Sequence, residues 1–147
     1  MSRRCSDPYC IAASGVPSPA GLVLLSPQVD LTESGDSFQI NQMVDLVLPG
    51  SLMRNNVLYA GGADLSHPYL SPLFGDLTGF PPTFLQSGTR DLFLSNAGRM
   101  HRALRRASVD AELHVFEAMP HGGFQGNTPE DREMAAEVCR FVKANWG

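Results

Sequence analysis

The sequence predicts an α/β protein with a mostly parallel sheet, because short apolar runs alternate with helical patterns. The runs at residues 21–27, 83–89 and 111–117 have the length and composition of strands. Helical patterns lie between the first and second runs, between the second and third, and after the third. This order is typical of parallel strands that are joined by right-handed crossovers.

The composition is that of an ordinary globular chain. Of the 147 residues, 43% are hydrophobic and 18% are charged, and one domain of this length can bury a sizeable core. The formal net charge of -4 disfavours nucleic acid or an anionic membrane as the main partner, because both select basic surfaces. We therefore expect a small neutral molecule or another protein as the partner.

The cysteines and the lack of long apolar runs point to a reducing compartment. Cys5, Cys10 and Cys139 are an odd number at spacings that match no zinc or redox motif, so we expect free thiols, no metal and no cofactor. The sequence has no signal-peptide pattern and no run of about 18 uncharged apolar residues, so no membrane span is expected. These observations predict a cytoplasmic protein.

The first predicted elements are a leader and a buried strand. Residues 1–19 mix Arg, Cys, Ser, Pro and Gly without strand or helix periodicity, which predicts a poorly ordered leader. The run GLVLLSP, residues 21–27, is apolar without interruption up to Ser-Pro. This pattern is typical of a strand that is buried on both faces of a parallel sheet.

Two short helices and an extended connection are predicted next. Apolar residues recur at helical spacing until Pro49, namely Ile40, Met43, Val44, Val47 and Leu48. Ser51 is then the expected N-cap of a second helix. Residues 63–82 contain four prolines and little periodicity, which predicts a connection that runs over the surface. For the apolar residues of 38–58, we favour general core packing over an acyl site.

The C-terminal part is predicted to form a β-α-β-α unit. Residues 83–89, TFLQSGT, form the second buried strand, and Ser95 is the expected N-cap of the helix that follows. Residues 111–117, AELHVFE, form the third strand by their alternation of side chains. The last helix is expected to have Thr128 as its N-cap and Pro129 as its first residue.

Two polar residues follow the second and third strands and are the strongest candidates for a catalytic role. Asp91 comes after the strand that ends at Thr89, and His121 comes after the strand that ends near Glu117. In open α/β sheets, ligands bind at the carboxyl ends of the strands. The separation of Asp91 and His121 fits one β-α-β unit, so we predict that their side chains lie within hydrogen-bond reach. A carboxylate beside an imidazole is the orienting part of a Ser-His-Asp triad.

Three segments of the sequence resemble one family of enzymes. They are PAGLVLLSPQVDLT at residues 19–32, LSPLFGDLTGFPPTFLQSGTRD at residues 70–91, and SGTRDLFLSNAGRMHRALRRASVDAELHVFEAMPHGGF at residues 87–124. All three resemble the C-terminal part of hormone-sensitive-lipase-like esterases, the α/β-hydrolase fold-3 group. The resemblance covers roughly residues 17–147.

The resemblance implies a fold, a pair of site residues and a small cap. The fold would be a partial α/β-hydrolase fold with three C-terminal strands and flanking helices in residues 20–147. Asp91 would be the triad acid and His121 the triad base. Residues 38–58, which we name the cap-like segment, resemble the part of the family's cap that lines the acyl pocket.

One part of the family's pattern is absent from the sequence. The family carries its nucleophile in G-x-S-x-G, upstream of the acid and the base. Neither this motif nor a His-Gly-Gly-Gly oxyanion loop occurs in the 147 residues. Ser37, in SGDSF, stands in an incomplete copy of the motif, and Ser26 and Ser87 lack the flanking glycines of the elbow. We expect Ser26 and Ser87 to cap or bond locally, and we expect no nucleophile among these three serines.

The remaining histidines, arginines and cysteine have simpler interpretations. His67 is expected in a turn, and no partner can be named for His114. His101 is expected on a solvated helix face beside a basic run, which comprises Arg99, Arg102, Arg105 and Arg106. Cys139 is expected to be a small hydrophobic residue of the core.

Two functional hypotheses follow. In the first, the chain is part of a carboxylic-ester hydrolase that acts on a small acyl ester, and it is inactive until a missing half completes the site. In the second, it is a truncated, non-catalytic remnant that acts as a self-association or binding module. The strand in residues 21–26 carries no Lys, Pro or inward charge that would protect an edge, so a symmetric homodimer through this strand is predicted.

Overall fold

The computed structural model describes residues 17–126 and 128–146, which form a three-stranded parallel sheet with flanking helices. The strands are β1 (Leu22–Leu25), β2 (Thr83–Gly88) and β3 (Ala111–Phe116), in the spatial order β1-β2-β3. The helices are α1 (Ser37–Ile40), α2 (Met53–Ala60), α3 (Leu94–Arg106) and α4 (Pro129–Asn145), and a short 3-10 helix spans Pro72–Phe74. The predicted α/β class and the parallel sheet are confirmed. Most of the predicted leader, residues 1–16, lies outside the described residues.

The sheet register brings the ends of the strands to one edge. Leu25 of β1 pairs with Gln86 of β2, and Gly88 of β2 pairs with Phe116 of β3. All six residues of β2 are buried, because this strand has a neighbour on both sides. The loops that follow β2 and β3 therefore start side by side.

The main core lies between α3 and the sheet. Met100 and Leu104 of α3 pack against Leu85 of β2, together with Val109 and Ala111 at the start of β3. Burying a side chain of the size of leucine or methionine contributes about 1.5–3 kcal/mol, so these contacts hold α3 firmly on the sheet. The position of α3 matters for the site, because the helix begins three residues after Asp91.

Two of the three predicted N-caps are displaced in the structure. Helix α3 has Phe93 at its N-cap position, not Ser95, because Asp91 accepts the Phe93 N–H and starts the helix earlier. Helix α2 has Leu52 at its N-cap, and Ser51, one residue earlier, accepts the Met53 N–H through its hydroxyl. Thr128 is the N-cap of α4, as predicted, and its hydroxyl accepts a hydrogen bond from the backbone N–H three residues later.

The prediction that the cap-like segment packs into the core holds for only part of its apolar residues, since Phe38 is 1% exposed and packs with Leu92 and Phe93. The first helix ends at Ile40, and Met43 has a positive φ of 65°, which breaks the predicted helical run. Ile40 is 62% exposed and Met43 is 84% exposed. Two polar residues of the segment, Asn41 and Asp45, are buried as well. Most of the apolar residues at helical spacing therefore lie on an outer surface, whereas Leu48 packs against the buried cluster of Phe38 and the loop after Asp91.

Four further expectations are corrected by the structure. Strand β1 is only half-buried, and Leu25 is 47% exposed, because described residues pair with β1 on one side alone. Cys139 is exposed on α4. His101 is partly buried, with its Nε2 3.2 Å from the carbonyl oxygen of Ala111. Arg99 does not belong to a solvated basic face, because it forms an ion pair of 2.7 Å with a buried carboxylate.

His114 has two partners that sequence analysis did not name. Its ring stacks on Phe84 with centroids 4.6 Å apart, and its Nε2 lies 3.2 Å from the carboxylate of Glu112. His67 lies in a turn, as expected, where its Nδ1 accepts the N–H of Tyr69. None of the helices in the described part of the chain has the length and apolar character needed to cross a lipid bilayer.

Candidate active site

Asp91 and His121 meet at the edge of the sheet where β2 and β3 end. The Nδ1 atom of His121 lies 3.3 Å from Oδ1 of Asp91, so the predicted approach of these two side chains is confirmed. The Asp91 side chain is fully buried, whereas that of His121 is 26% exposed. The imidazole thus sits between a buried carboxylate and the surface.

The Asp91 carboxylate is held by several donors. Its Oδ1 accepts the Phe93 N–H at 2.9 Å, and its Oδ2 accepts the Ser87 hydroxyl at 2.8 Å. Burial by itself would raise the pKa of Asp91, but hydrogen bonds from His121, Phe93, Ser26 and Ser87 outweigh it and hold the pKa below its ordinary value. Asp91 is therefore an anion at neutral pH, and it is positioned to orient His121.

Tight packing joins the loop of the acid to the loop of the base. A Cβ atom on Gly88 would lie only 1.9 Å from the carbonyl oxygen of Met119, so glycine is required at this crossing. The same carbonyl accepts the Arg90 N–H at 3.2 Å, and the Thr89 hydroxyl accepts the Ala118 N–H at 2.8 Å. The two loops are therefore connected at residues that precede Asp91 and His121 in the sequence.

The chain beyond His121 is also fixed. The Gly122 N–H donates to the Ser26 hydroxyl at 3.2 Å, which links this loop to the end of β1. Gly123 has a φ of 92°, and the next N–H, that of Phe124, donates to Oδ1 of Asp131 at 2.8 Å. Asp131 also completes the capping box of α4, so the His121 loop is attached to the start of that helix.

The His121 ring has a defined orientation. It packs against the ring of Phe93 in a T-shaped arrangement, with centroids 5.0 Å apart and planes at 84°. Because Nδ1 faces Asp91, Nε2 is the ring nitrogen that is left to exchange a proton with a reactant. This arrangement is suited to general base catalysis.

The three serines considered as nucleophiles are engaged elsewhere. The Ser37 hydroxyl is buried, donates to the Leu92 carbonyl oxygen at 2.7 Å and accepts the Ser95 N–H at 3.0 Å. Ser26 and Ser87 bond to the acid and not to the base. Local bonding was the expectation for Ser26 and Ser87, and their link to Asp91 adds a role in holding its charge.

Sequence reasoning missed one further residue of the site. Asp45 is buried, accepts the Leu92 N–H at 2.8 Å, and lies 3.4 Å from the backbone nitrogen of His121. Its neighbours in sequence, NQMVDLVLP, have the spacing of an amphipathic helix, so Asp45 gave no separate signal. Among the described residues, no group of three or more His, Cys, Asp or Glu side chains is arranged to hold a metal ion.

Comparisons with known proteins agree on one family. A family model described as alpha/beta hydrolase fold matches residues 9–125. The chain is 30% identical to an esterase of Acinetobacter venetianus strain RAG-1 over 128 residues, which are 84% of this chain and 42% of that protein. It is 37% identical to an acetyl-hydrolase of Streptomyces hygroscopicus over 137 residues, which are 91% of this chain and 46% of that protein.

Solved structures agree with the sequence matches. The crystal structure of one esterase superposes with a TM-score of 0.88 at 41% identity, and covers 92% of this chain and 43% of its own. An esterase of the bacterial hormone-sensitive lipase family superposes with a TM-score of 0.87 at 33% identity, and covers 95% of this chain and 48% of its own. The chain therefore spans less than half the length of these four relatives.

Proposed function

Because this chain belongs to the α/β-hydrolase fold family, as the resemblance predicts, we propose that it supplies the acid and the base of a carboxylic-ester hydrolase. Asp91 is the acid and His121 is the base. The observation that carries the proposal is the contact between a buried, ionised carboxylate and a partly exposed imidazole at the carboxyl edge of the sheet. The serine nucleophile comes from polypeptide outside these 147 residues.

The proposed reaction uses His121 as a proton carrier. A serine hydroxyl attacks the ester carbonyl while Nε2 of His121 takes its proton, and the resulting imidazolium is stabilised by Asp91. His121 then gives the proton to the leaving alcohol, and the acyl group stays on the serine. A water molecule, activated by the same nitrogen, releases the acid and restores the serine.

The cap-like segment supports a small acyl ester as the substrate. Several of its apolar side chains, including Ile40 and Met43, are exposed. The same segment is bound to the acid loop, since the Asn41 side chain donates to the carbonyl oxygens of Thr89 and Asp91. An apolar surface that is anchored beside the catalytic pair can contact an acyl chain. The names of the relatives, esterase and acetyl-hydrolase, agree with this substrate class.

The first test concerns the chain by itself. We expect no ester hydrolysis and no serine labelling by a fluorophosphonate probe, because an acid and a base without a nucleophile move no proton to an ester. The measurement is labelling followed by mass spectrometry, with a short-chain nitrophenyl ester as the activity substrate. Labelling of one serine that disappears in His121→Ala would contradict an external nucleophile.

The second test supplies the missing part from a relative. This chain replaces the matching segment of the Streptomyces hygroscopicus acetyl-hydrolase, which keeps its own remaining polypeptide. We expect the chimera to hydrolyse a nitrophenyl acetate, and His121→Ala to lower kcat by at least about 10³-fold. His67→Ala is the matched control, because this histidine lies in an exposed turn, and it is expected to leave kcat unchanged. A folded, active chimera that tolerates His121→Ala would refute the assignment of the base.

A second proposal concerns self-association, and the outer edge of β1 favours it. Within the described ranges, β1 pairs with β2 alone, and its residues carry no charge. A groove of about 370 Å³ runs beside it and is lined mainly by apolar residues, among them Val23, Phe141 and Trp146. The occupant we propose is the same strand of a second copy, in antiparallel pairing across a two-fold axis. This is the binding role that the chain would have as a non-catalytic remnant.

A further inference from the structure

The carboxylate of Asp45 connects three separate segments of the protein. Its Oδ1 accepts the N–H groups of Val47 and Leu48, at 2.9 and 3.1 Å, within its own turn. Its Oδ2 accepts the Leu92 N–H at 2.8 Å, in the loop of the acid. Its Oδ1 also accepts the His121 N–H at 3.4 Å, in the loop of the base. The side chain is 1% exposed, so water does not replace these bonds.

The two distant donors are next to the catalytic pair in sequence or belong to it. Leu92 directly follows Asp91, and the third segment is held through the backbone of His121 itself. Asp45 therefore joins the backbones of the two loops independently of the contact between the Asp91 and His121 side chains. A carboxylate can accept about four hydrogen bonds, and here both oxygens are used in this way.

A second buried aspartate shows that this arrangement is not a general property of such residues. Asp30 is 0% exposed. Its carboxylate accepts hydrogen bonds from Thr32 and Ser34 in its own turn and from the charged side chain of Arg99. Within the described residues, Asp30 has no hydrogen bond to the loop of His121. Asp30 is thus a matched buried carboxylate with a countercharge, whereas Asp45 is bonded to backbone N–H groups.

We propose that Asp45 is a positioning residue, which holds the Asp91 loop and the His121 loop at a fixed spacing and connects both to the cap-like segment. It touches neither the substrate nor the transferred proton. Its catalytic consequence rests on the proposed ester hydrolysis, since loss of the spacing would loosen the contact between Nδ1 of His121 and Asp91. Its structural consequence does not depend on any substrate.

The test compares Asp45→Asn with Asp30→Asn by NMR of the chain as it exists. An asparagine keeps one acceptor oxygen, and its amide nitrogen cannot accept, so the Leu92 N–H or the N–H groups bonded to Oδ1 lose their partner. We expect amide exchange at Leu92 and His121 to accelerate about tenfold in Asp45→Asn, relative to other buried amides. We also expect the Nδ1 proton resonance of His121 to shift. In Asp30→Asn, the His121 signals stay as in the unaltered chain.

A measurement on the unaltered chain covers the case in which Asp45→Asn does not fold. A scalar coupling across the hydrogen bond, between the Leu92 amide nitrogen and the side-chain carboxylate carbon of Asp45, supports the proposal, and its absence overturns it. Equal changes at His121 in both variants, or no change in either, also overturn it. These signals need no nucleophile and no ester, so an inactive chimera would contradict the proposed function and leave this inference standing.

Discussion

The site edge and the outer edge of β1 are built in opposite ways. At the site edge, Asp91 and Asp45 are buried carboxylates whose hydrogen bonds are supplied by neighbouring loops. At the outer edge, Leu25 and Trp146 are apolar and exposed, and the strand has an unpaired side within the described residues. In the first region the buried carboxylates have their hydrogen-bond donors among the described residues, whereas the second region is suited to receive more polypeptide. Acid–base geometry and strand pairing are therefore separable properties of this molecule.

The largest expected effect is the loss of dimerisation through the outer edge of β1. If a second copy pairs along β1, the chain of 15.9 kDa sediments as a dimer at micromolar concentration. Leu25→Lys places a charge on an already exposed position of the strand, and we expect it to yield monomers, because lysine discourages edge pairing. Sedimentation velocity measures both species. A folded monomer of the unaltered chain would show that this edge does not pair.

The next effect concerns the crossing of the two loops at the site edge. Gly88→Ala places a methyl group against the Met119 carbonyl oxygen, and we expect it to lower the free energy of unfolding by about 3 kcal/mol. The control is Gly98→Ala in α3, where a Cβ meets no atom within 4 Å, and we expect a gain of about 0.5–1 kcal/mol there. Urea unfolding measures both. Equal stability of the two variants would show that the loops separate without cost.

The smallest effect tests the charge of the buried acid. The pKa of Asp91 in the folded protein lies below its ordinary value of 3.8, so its contribution to stability is complete above about pH 4 and is lost as the pH falls through the folded pKa. We expect the difference in unfolding free energy between the unaltered chain and Asp91→Asn to become smaller as the pH is lowered from about 4 through the folded pKa of Asp91. Ser87→Ala removes only one of the donors to Asp91. We expect the difference in unfolding free energy between the unaltered chain and Ser87→Ala to narrow by less over the same pH range. A difference that is constant with pH would contradict an ionised, hydrogen-bonded Asp91.

Sequence patterns predicted the approach of Asp91 to His121, which depends only on the order of the strands and on the length of the β-α-β unit. Two apolar strands and the helix between them place Asp91 and His121 at one edge, and this requires no knowledge of side-chain contacts. The role of Asp45 was not predictable, because its partners Leu92 and His121 are far away in sequence and are bound through their backbones. The periodicity from Ile40 to Leu48, for which core packing was favoured, is produced mostly by residues that are exposed on the outer surface.

The errors in predicting helix starts also come from hydrogen bonds that the sequence pattern does not show. Ser95 satisfies the composition rule for an N-cap, but the Asp91 carboxylate already holds the Phe93 N–H, so the helix starts before Ser95. Thr128 was predicted correctly from the proline that follows it, and its capping partner in the structure, Asp131, lies three residues away in the same turn. Local pairs of residues can be recognised from sequence, whereas a cap that is displaced by a buried side chain cannot.

The sheet register has a consequence for the order of folding. Strand β2 reaches β3 across the single helix α3, whereas β1 reaches β2 only after the whole connection from Ser26 to Pro82 has been closed. Closing a longer loop costs more chain entropy, and contacts that are distant in sequence form more slowly. We therefore expect β2, α3 and β3 to form the nucleus and β1 to join late. The two segments that bear the acid and the base then come together early in folding, while β1, which pairs on one side alone within the described residues, is the last to be protected.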